Sequence, residues 1–517
     1  MYVRGVLRLV ATVTLSAMVL FRSAAAAEVD DVGLVAEAQR ELFAGHHQQA
    51  ASQYTKLLAA DPTVGDAWYG MVRSLLELHD SHQAYAAAEQ AGVKAPQTSG
   101  AETAAGLAAY RRGDLAQSEE HFRRALKINP DYPGALRGLA SIYSAVSKPR
   151  TARDLRLRAY HLSPEDPELM LVYANTLKGQ EHIAALEAVL GKIDASTEMA
   201  RNLRVHIAND RALGDRKLRR LVSPYQETRI KLVFIMDGPR KLRGLGVRLT
   251  LNQKESVKLL LDTGATGMSL SPKLAEKAGL QVISGETSEA KGIGDQKTST
   301  AVSYLASEVR AGDVVFADYP ISVFRAAQSV DFDGLIGADV FARFLVKIDF
   351  PQAELVLEPR PAANIAGVDD NEPADAVDPS PGFFRVLRFG DHLAIPTKIE
   401  GGRPGEHSAL FLLDSGATSN LIDTETAKQA TGVSGDSRTI VTGIQGAVDK
   451  TSRADRVSLI FAGFLQENPD LIAISLEKMS DSMGVGFGGI LGMPVLGRLA
   501  VTIDYRNGSV KLEYRKP

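Results

Sequence analysis

Two aspartates, Asp262 and Asp414, end apolar runs that are spelled almost identically. The first run reads Leu-Leu-Leu-Asp-Thr-Gly-Ala-Thr over residues 259–266, and the second reads Phe-Leu-Leu-Asp-Ser-Gly-Ala-Thr over residues 411–418. An isolated buried carboxylate is poorly tolerated, whereas two carboxyl groups brought together can share one proton and hold a water between them. The duplication therefore suggests a single acid–base site built from two carboxyl groups that lie 152 positions apart (414 − 262).

The residues beside each aspartate fit such a site. The apolar triplet predicts a buried strand that carries the carboxylate to the end of a sheet. Gly264 and Gly416 allow a tight turn, and the hydroxyls of Thr263 and Ser415 can hold that turn or a neighbouring backbone. For a single copy, an Asx-type turn after a strand would be the simpler interpretation.

The repetition extends well beyond these four residues. Three further segments recur in the same order and at similar distances after each aspartate. Glycine pairs lie at 292–294 and 443–446, G-[LI]-[IL]-G segments at 334–337 and 489–492, and V-x-I-D-[FY] segments at 346–350 and 501–505. Asp349 and Asp504 recur too, but they follow apolar strands and precede turns, which predicts a structural role. Two homologous units therefore follow one another in the chain.

On these residues the chain resembles aspartic peptidases of the pepsin and retropepsin type, which use one D-[ST]-G from each of two similar lobes. The resemblance covers roughly residues 229–517 and implies a mainly-β bilobal fold with Asp262 and Asp414 as the catalytic pair. It also implies loop-bracing residues (Thr263, Gly264, Ser415 and Gly416) and flap candidates (Gly292, Gly294, Gly443 and Gly446). Alanine follows each D-[ST]-G, as in retropepsins, and a counterpart of the pepsin flap tyrosine is not evident.

Residues 30 to about 215 are rich in alanine and leucine, which predicts helices. Pro62, Pro96, Pro130 and Pro164 are each 34 positions apart (96 − 62 and so on), with alanines recurring at constant phase. This pattern resembles tetratricopeptide repeats, in which paired helices stack into an array. It fades after Pro164, so residues 169–213 are expected to form a degenerate repeat or a capping helix pair. A concave partner-binding surface and a packing platform for the lobes remain equal alternatives for the array.

The first residues have the layout of a secretory signal peptide. Arg4 and Arg8 precede an apolar run over 9–21, and small residues at 24–27 precede acidic ones. Cleavage near Ala27 would give a periplasmic or secreted chain without membrane attachment, and an uncleaved anchor is the alternative. The predicted units are a signal peptide (1–27), helical repeats (28–215), a first lobe (216–360), a linker (361–382) and a second lobe (383–517).

Composition removes several other classes of function. The formal net charge of −3 gives no reason to expect nucleic-acid binding. The chain has no cysteine, which excludes disulfides, thiolate metal sites and a cysteine nucleophile. H-E-x-x-H and G-x-S-x-G motifs do not occur. A G-x-G-x-x-G match at 484–489 lacks the strand–turn–helix context of a nucleotide site. We therefore expect neither a metal nor a cofactor in the reaction.

The sequence thus predicts an exported aspartic endopeptidase that acts on a polypeptide, with a possible protein partner on the repeats. One alternative is a catalytically silent peptide-binding adaptor that uses the lobes and repeats as a scaffold. A second alternative is a glycosidase with two carboxylates. Sugar-stacking aromatics are scarce near either motif, and the single tryptophan, Trp68, lies in the repeats, which ranks the glycosidase last.

Overall fold

A computed structural model describes residues 33–236, 242–290, 292–293, 299–324, 333–360, 375–443 and 446–515. The predicted signal peptide, Gly294 and most of the predicted linker (361–374) lie outside these ranges. Within them, helices that are both long enough and apolar enough to cross a bilayer are absent.

Residues 33–213 form helices joined by short turns. The helices in chain order are α1 (33–44), α2 (His47–Ala60), α3 (Gly65–Glu77), α4 (Ser81–Lys94), α5 (Ser99–Arg111), α6 (Leu115–Ile128), α7 (Pro133–Ala145), α8 (Pro149–Leu162), α9 (Pro167–Ala174), α10 (Gly179–Leu190) and α11 (Glu198–Leu213). The prolines spaced 34 residues apart follow α2, α4, α6 and α8, which are the second helices of successive pairs. The segment in which the period fades forms α9 to α11.

Small residues let these helices approach one another closely. Alanines that recur at a constant position within the 34-residue period are fully buried. They are residues 50, 84, 91, 125, 152 and 159. A Cβ on Gly138 would lie 2.2 Å from the ring of Phe122, and one on Gly106 would lie 2.6 Å from it. Phe122 therefore fills a space that two glycines leave open between neighbouring helices. The prediction of a helical repeat domain is confirmed.

The first lobe is mainly β. Its elements are β1 (Arg220–Leu221), β2 (Thr228–Lys231), β3 (Val233–Met236), β4 (Leu242–Leu251), β5 (Glu255–Asp262), β6 (Met268–Leu270), α12 (Pro272–Lys277), β7 (Gln281–Ala290), β8 (Ser299–Ala311), β9 (Val314–Phe324), β10 (Gly334–Gly337), a 3-10 helix (Ala338–Phe341), β11 (Leu345–Asp349) and β12 (Glu354–Glu358). Its main sheet has the order β1-β9-β6-β10-β5-β4-β8-β7, with β3 beside β4.

The second lobe repeats the central part of this arrangement. Its elements are β13 (Phe384–Arg385), β14 (Leu387–Phe389), β15 (His392–Glu400), β16 (His407–Leu413), β17 (Leu421–Asp423), α13 (Thr424–Ala430), β18 (Val433–Gly435), β19 (Thr442–Gly443), β20 (Gly446–Ala447), β21 (Ser452–Ala454), β22 (Val457–Phe461), β23 (Phe464–Asn468), β24 (Leu471–Ile474), α14 (Glu477–Met483), β25 (Gly489–Leu491), α15 (Met493–Leu496), β26 (Leu499–Asp504) and β27 (Ser509–Tyr514). Strands β17, β25, β16 and β15 stand side by side, as β6, β10, β5 and β4 do in the first lobe.

A further sheet joins the two lobes beneath the site. Its order is β13-β27-β26-β11-β12-β2, and β11 pairs with β26 antiparallel, placing Ile348 opposite Val501. Both residues belong to one buried apolar cluster that extends through both lobes. At the ends of these strands, Asp349 accepts from the Gln352 N–H and Asp504 accepts from the Arg506 N–H. These turn-capping bonds agree with the structural role predicted for the two aspartates.

The helical array packs directly on both lobes. Arg111 of α5 forms an ion pair with Asp481 of α14, and the His79 ring lies 3.1 Å from the same carboxylate. The Asn209 side chain on α11 accepts from the Ser284 hydroxyl of β7 at 2.5 Å. Asp375, in the described part of the predicted linker, accepts from the Arg150 N–H at 2.8 Å at the start of α8. The contacts fit the platform interpretation of the array.

A buried ion cluster ties α3 to α9 inside the array. The Arg73 guanidinium donates to Asp166 at 2.9 Å and to Glu168 at 2.8 Å. The Arg73 and Asp166 side chains are 9% and 5% exposed, so neither charge is well hydrated. Removing Arg73 leaves the buried Asp166 carboxylate with a more distant cation, the Arg137 guanidinium at 3.9 Å, so its charge is only partly compensated.

We therefore expect Arg73→Met to lower the free energy of unfolding of the array by up to about 3–5 kcal/mol. The measurement is urea denaturation followed by helical circular dichroism. Arg158→Met is the control, because the Arg158 and Asp131 side chains are 50% and 63% exposed and such pairs contribute less than about 1 kcal/mol. Equal losses in the two variants would contradict the assignment of a buried ionic tie.

Candidate active site

The ends of paired parallel strands carry both aspartates to the cleft. β5 runs parallel to β10, with Asp262 opposite Gly337. β16 runs parallel to β25 with Leu413 opposite Leu491, so Asp414 is the next residue beyond the pairing. The apolar triplets are buried, as the sequence predicts. The two lobes therefore present equivalent residues at equivalent strand ends.

Reciprocal hydrogen bonds of Thr263 and Ser415 join the two loops. The Thr263 hydroxyl donates to the Leu413 carbonyl at 2.8 Å, and the Ser415 hydroxyl donates to the Leu261 carbonyl at 2.7 Å. Each hydroxyl also accepts: the Ser415 N–H donates to Thr263 Oγ1 at 2.9 Å, and the Thr263 N–H donates to Ser415 Oγ at 3.0 Å. Both side chains are buried, where hydrogen bonds are little weakened by water. Each hydroxyl thus holds the loop of the opposite lobe.

Glycine is required next to each of these residues because the opposite aspartate lies against it. A Cβ on Gly264 would stand 2.6 Å from Asp414 Cγ, and a Cβ on Gly416 would stand 2.5 Å from Asp262 Cγ. Real Cβ contacts are never that short, so any side chain here would push the carboxyl group away. The glycines therefore set how closely the two aspartates approach.

The two carboxyl groups are hydrogen-bonded to each other, and each accepts hydrogen bonds from backbone N–H groups of its own loop. Gly264 N–H donates to Asp262 Oδ1 at 2.8 Å, and Asp414 Oδ1 accepts from the N–H groups of Gly416 and Ala417 at 2.8 and 3.0 Å. Burial raises the pKa of Asp262 despite its hydrogen bond with Asp414. Burial and the adjacent Asp262 charge raise the pKa of Asp414 well above its usual range. The pair therefore retains one shared proton at a pH where ordinary aspartates are ionised.

His392 is a neighbour of the pair that the sequence did not predict. It begins β15, lines the cleft beside Asp262 and lies close to the Gly264 backbone. Its Nδ1 is buried without a hydrogen-bond partner among the described residues. Burial lowers the pKa of His392, so the ring is neutral at neutral pH. The residue at the corresponding place in the first lobe is Gly244. Gly246 pairs with Leu260 and Ala394 pairs with Leu412, and each leucine lies two residues before its aspartate, so the residues two positions before Gly246 and Ala394 correspond.

Asp339 supports the first loop from behind, and it too was absent from the sequence-based predictions. Gly267 N–H is 3.0 Å from both Asp339 carboxylate oxygens. In the second lobe, Asn420 accepts from the Gly492 N–H at 3.0 Å and is itself buried. Burial raises the pKa of Asp339 to about 6. The two loops are therefore braced on their outer sides by different residues.

The aspartates line a cleft of about 2220 Å³ that the predicted flap segments also line. A Cβ on Gly443 would lie 2.3 Å from the Ile293 carbonyl, so the segments of the two lobes touch across the cleft. Gly292 is exposed at its margin. Gly446 pairs with Gly443 in the β19–β20 hairpin and has a φ of +89°, which favours glycine. Gly294 lies outside the described residues.

The helical array forms one wall of this cleft. His79, Tyr110, Ser144 and Arg156 line it together with the residues of the lobes. A cavity of about 450 Å³ inside the array shares His79, Tyr110 and Arg156 with the cleft. The space on the inner side of the array therefore adjoins the space above the aspartates.

The raised pKa of Asp339 makes stability depend on pH. The folded chain binds more protons than the unfolded chain between the ordinary value of 3.8 and about 6. Stability from this group is therefore full below about pH 4 and is lost as the pH rises through about 6. Asp339→Asn cannot ionise and keeps an acceptor for Gly267, so we expect a flatter stability profile over this range. At pH 7 the gain should reach at most about 3 kcal/mol.

Urea denaturation at several pH values measures this effect. Asp339→Ala is the contrast, because it should also flatten the profile but lose the Gly267 hydrogen bond and be less stable than Asp339→Asn. A pH slope that is unchanged in both variants would show that Asp339 is not the titrating group.

The comparisons with known proteins agree with this geometry. A family model described as aspartyl protease matches residues 247–340 and 395–495, and a tetratricopeptide-repeat model matches residues 103–132. Each of the two aspartyl protease segments contains one of the paired aspartates. A search of curated proteins found no match.

Solved structures of both kinds are similar to parts of the chain. The aspartic proteinase from Irpex lacteus is 17% identical, covers 56% of this chain and 97% of its own length, and has a TM-score of 0.36. A thermophilic TPR protein from Thermus thermophilus is 20% identical, covers 34% of this chain and 97% of its own length, and has a TM-score of 0.26. The chain is therefore similar to aspartyl proteases over segments of both β lobes and to tetratricopeptide repeats over part of its helical array.

Proposed function

We propose that this chain is an exported aspartic-type endopeptidase in which Asp262 and Asp414 hydrolyse peptide bonds. The observation that carries the proposal is the pair of half-buried carboxyl groups that lie side by side at the base of a cleft. Export is supported by the composition of residues 1–27 alone. Metals and cofactors are not required by the reaction.

One shared proton gives the two members of the pair different roles, one as base and one as acid. In this proposal Asp262 is the ionised member, and it takes a proton from a water as that water attacks the scissile carbonyl carbon. Asp414 donates its proton to the carbonyl oxygen, giving a neutral tetrahedral intermediate. Asp262 then returns its proton to the leaving amine while Asp414 recovers one from the collapsing hydroxyl. Each proton is conserved, and a covalent enzyme intermediate is not formed.

An extended peptide suits the shape of the cleft. The β19–β20 hairpin and residues 292–293 lie above the aspartates, where backbone groups could pair with a substrate as an added strand. Because Gly443 contacts the Ile293 carbonyl, these segments must separate to admit a polypeptide. The segments are therefore the movable cover of the site.

The array is proposed to recruit or select the protein substrate. Its residues line both the cleft and the adjoining cavity, so a chain bound along the array lies next to the space above the aspartates. Arg156 lies where the two spaces meet, and its guanidinium donates to the neutral Ser144 hydroxyl at 2.9 Å. A cation there favours an acidic or carboxylate group on the bound polypeptide.

The first test of the proposal concerns the pair itself. Asp262→Asn and Asp414→Asn should each reduce peptide cleavage at least about 1000-fold, and the double variant should be no worse, because residues that act as a unit are not additive. Cleavage of a peptide library, read by mass spectrometry, measures this effect. Asp504→Asn is the control, since this aspartate also recurs in both lobes but caps a turn.

Substantial cleavage by either single variant would contradict a shared site. If the wild-type chain binds peptides without cleaving any, the peptide-binding adaptor becomes the better description.

The second test concerns pH. Ala265 and Ala417 stand where pepsin-like members usually carry a hydroxyl residue, and both line the cleft. A hydroxyl donor to the ionised pair lowers its pKa, so its absence keeps the shared proton to higher pH. We expect an optimum in weakly acidic to near-neutral solution, and an alkaline limb that moves down by about one pH unit in Ala417→Ser.

The pH dependence of kcat/KM measures this shift. Asp504→Asn is the control, because this aspartate caps a turn outside the cleft and its loss should leave that limb in place. An activity confined to strongly acidic solution, or an unmoved limb in Ala417→Ser and Ala265→Thr, would refute the assignment.

A further inference from the structure

Three side chains on the last two helices of the array converge away from the cleft. His206 and Asp210 lie one turn apart on α11, and His182 approaches them from α10. The His182 Nε2 atom lies 3.4 Å from Asp210 Oδ2, and His206 Nε2 lies 3.9 Å from the same oxygen. All three ligand atoms lie within 4.8 Å of one another.

A backbone hydrogen bond fixes which nitrogen of His182 faces the cluster. His182 Nδ1 lies 2.8 Å from the Ala174 carbonyl oxygen, and a carbonyl can only accept, so Nδ1 carries the proton. In the neutral ring, Nε2 therefore presents a lone pair toward Asp210 Oδ2. Metal-bound histidines are typically oriented by such a bond from the other ring nitrogen.

The lone pairs of His182 Nε2 and Asp210 Oδ2 repel each other unless a cation lies between them. A proton on a histidine could bridge only two of the three groups. Asp210 Oδ2 is buried and, among the residues that the structure describes, makes no hydrogen bond of acceptable geometry. Donors that are each about 2.0–2.1 Å from a tetrahedral ion lie about 3.3 Å apart, close to the His182–Asp210 separation. The half-exposed position of the cluster leaves room for a water as fourth ligand.

We propose that His182, His206 and Asp210 bind one Zn²⁺ ion. Two imidazoles and one carboxylate are a donor set that suits zinc, whereas calcium and magnesium prefer oxygen ligands alone. The ion joins α10 to α11. Asn209, next to Asp210, accepts from Ser284 of the first lobe, so the same ion stiffens the end of the array where it meets that lobe.

Calorimetric titration of the full-length chain with Zn²⁺ at pH 7.5, without a polyhistidine tag, tests the site. We expect one ion per wild-type chain, and an affinity at least about 100-fold weaker in His182→Ala, His206→Ala and Asp210→Asn. His161→Ala is the matched control, because this exposed histidine on α8 is outside the cluster, and it should bind as the wild type does. Zn²⁺ should also slow amide exchange in α11 of the wild type and of His161→Ala only.

His206 is exposed, so its alanine variant is not expected to disturb folding, which equal melting temperatures without zinc would verify. Failure of the wild-type chain to bind Zn²⁺ would overturn the proposal and leave a histidine–aspartate ion pair. Equal zinc binding by all variants would overturn it as well. The test is independent of peptide cleavage.

Discussion

The reciprocal hydrogen bonds between Thr263 and Ser415 are the contact on which the site depends. Each hydroxyl reaches across the boundary between lobes to the residue before the opposite aspartate. Each carboxyl group packs directly against the opposite glycine, Gly416 or Gly264. These hydrogen bonds therefore fix the positions of the two carboxyl groups relative to each other. A small rotation of one lobe would separate the aspartates, and the proton they share would no longer be held between them. Rigidity across the boundary is therefore a chemical requirement as well as a structural one.

The rest of the fold supplies that rigidity. The sheet shared by the lobes pairs β11 with β26, and a continuous apolar core runs beneath both loops. Enclosing two carboxyl groups is costly, and the backbone N–H groups of Gly264, Gly416 and Ala417 offset part of that cost. The remaining cost appears as raised pKa values in the pair, which is the property that acid–base chemistry uses.

Much of this architecture could be predicted because the motifs of the first lobe recur in the second lobe. The duplicated D-[ST]-G-A and G-[LI]-[IL]-G segments indicated paired lobes, and the prolines indicated the repeats. His392 and Asp339 were missed because each has a different residue at the corresponding place in the other lobe, so the duplication carries no signal there. The sequence allowed a packing platform as one of two alternatives, but the contacts that attach the array to the lobes could not be predicted from it. Arg111 and Asp481 are 370 positions apart, and neither belongs to a local pattern.

The array emerges as part of the cleft as well as a neighbour of it. Tyr110 and Arg156 belong to helices whose period signals a repeat, yet they line the space above the aspartates. A periodic sequence specifies how helices stack on one another, because that depends on alanines and prolines at fixed spacing. It does not specify which surface a second domain will cover, because that depends on side chains outside the period. The substrate preference of the site should therefore be sought in both domains.

The proposed mechanism requires that one chain builds one site from its two lobes. Calorimetric titration with a statine-type peptide, whose hydroxyl imitates the tetrahedral intermediate between the two carboxyl groups, measures the number of such sites. We expect one inhibitor bound per chain, and weak binding when Thr263→Val and Ser415→Ala together remove the bonds across the lobes. One inhibitor per two chains, or undiminished binding in that double variant, would contradict a single site held together by these bonds.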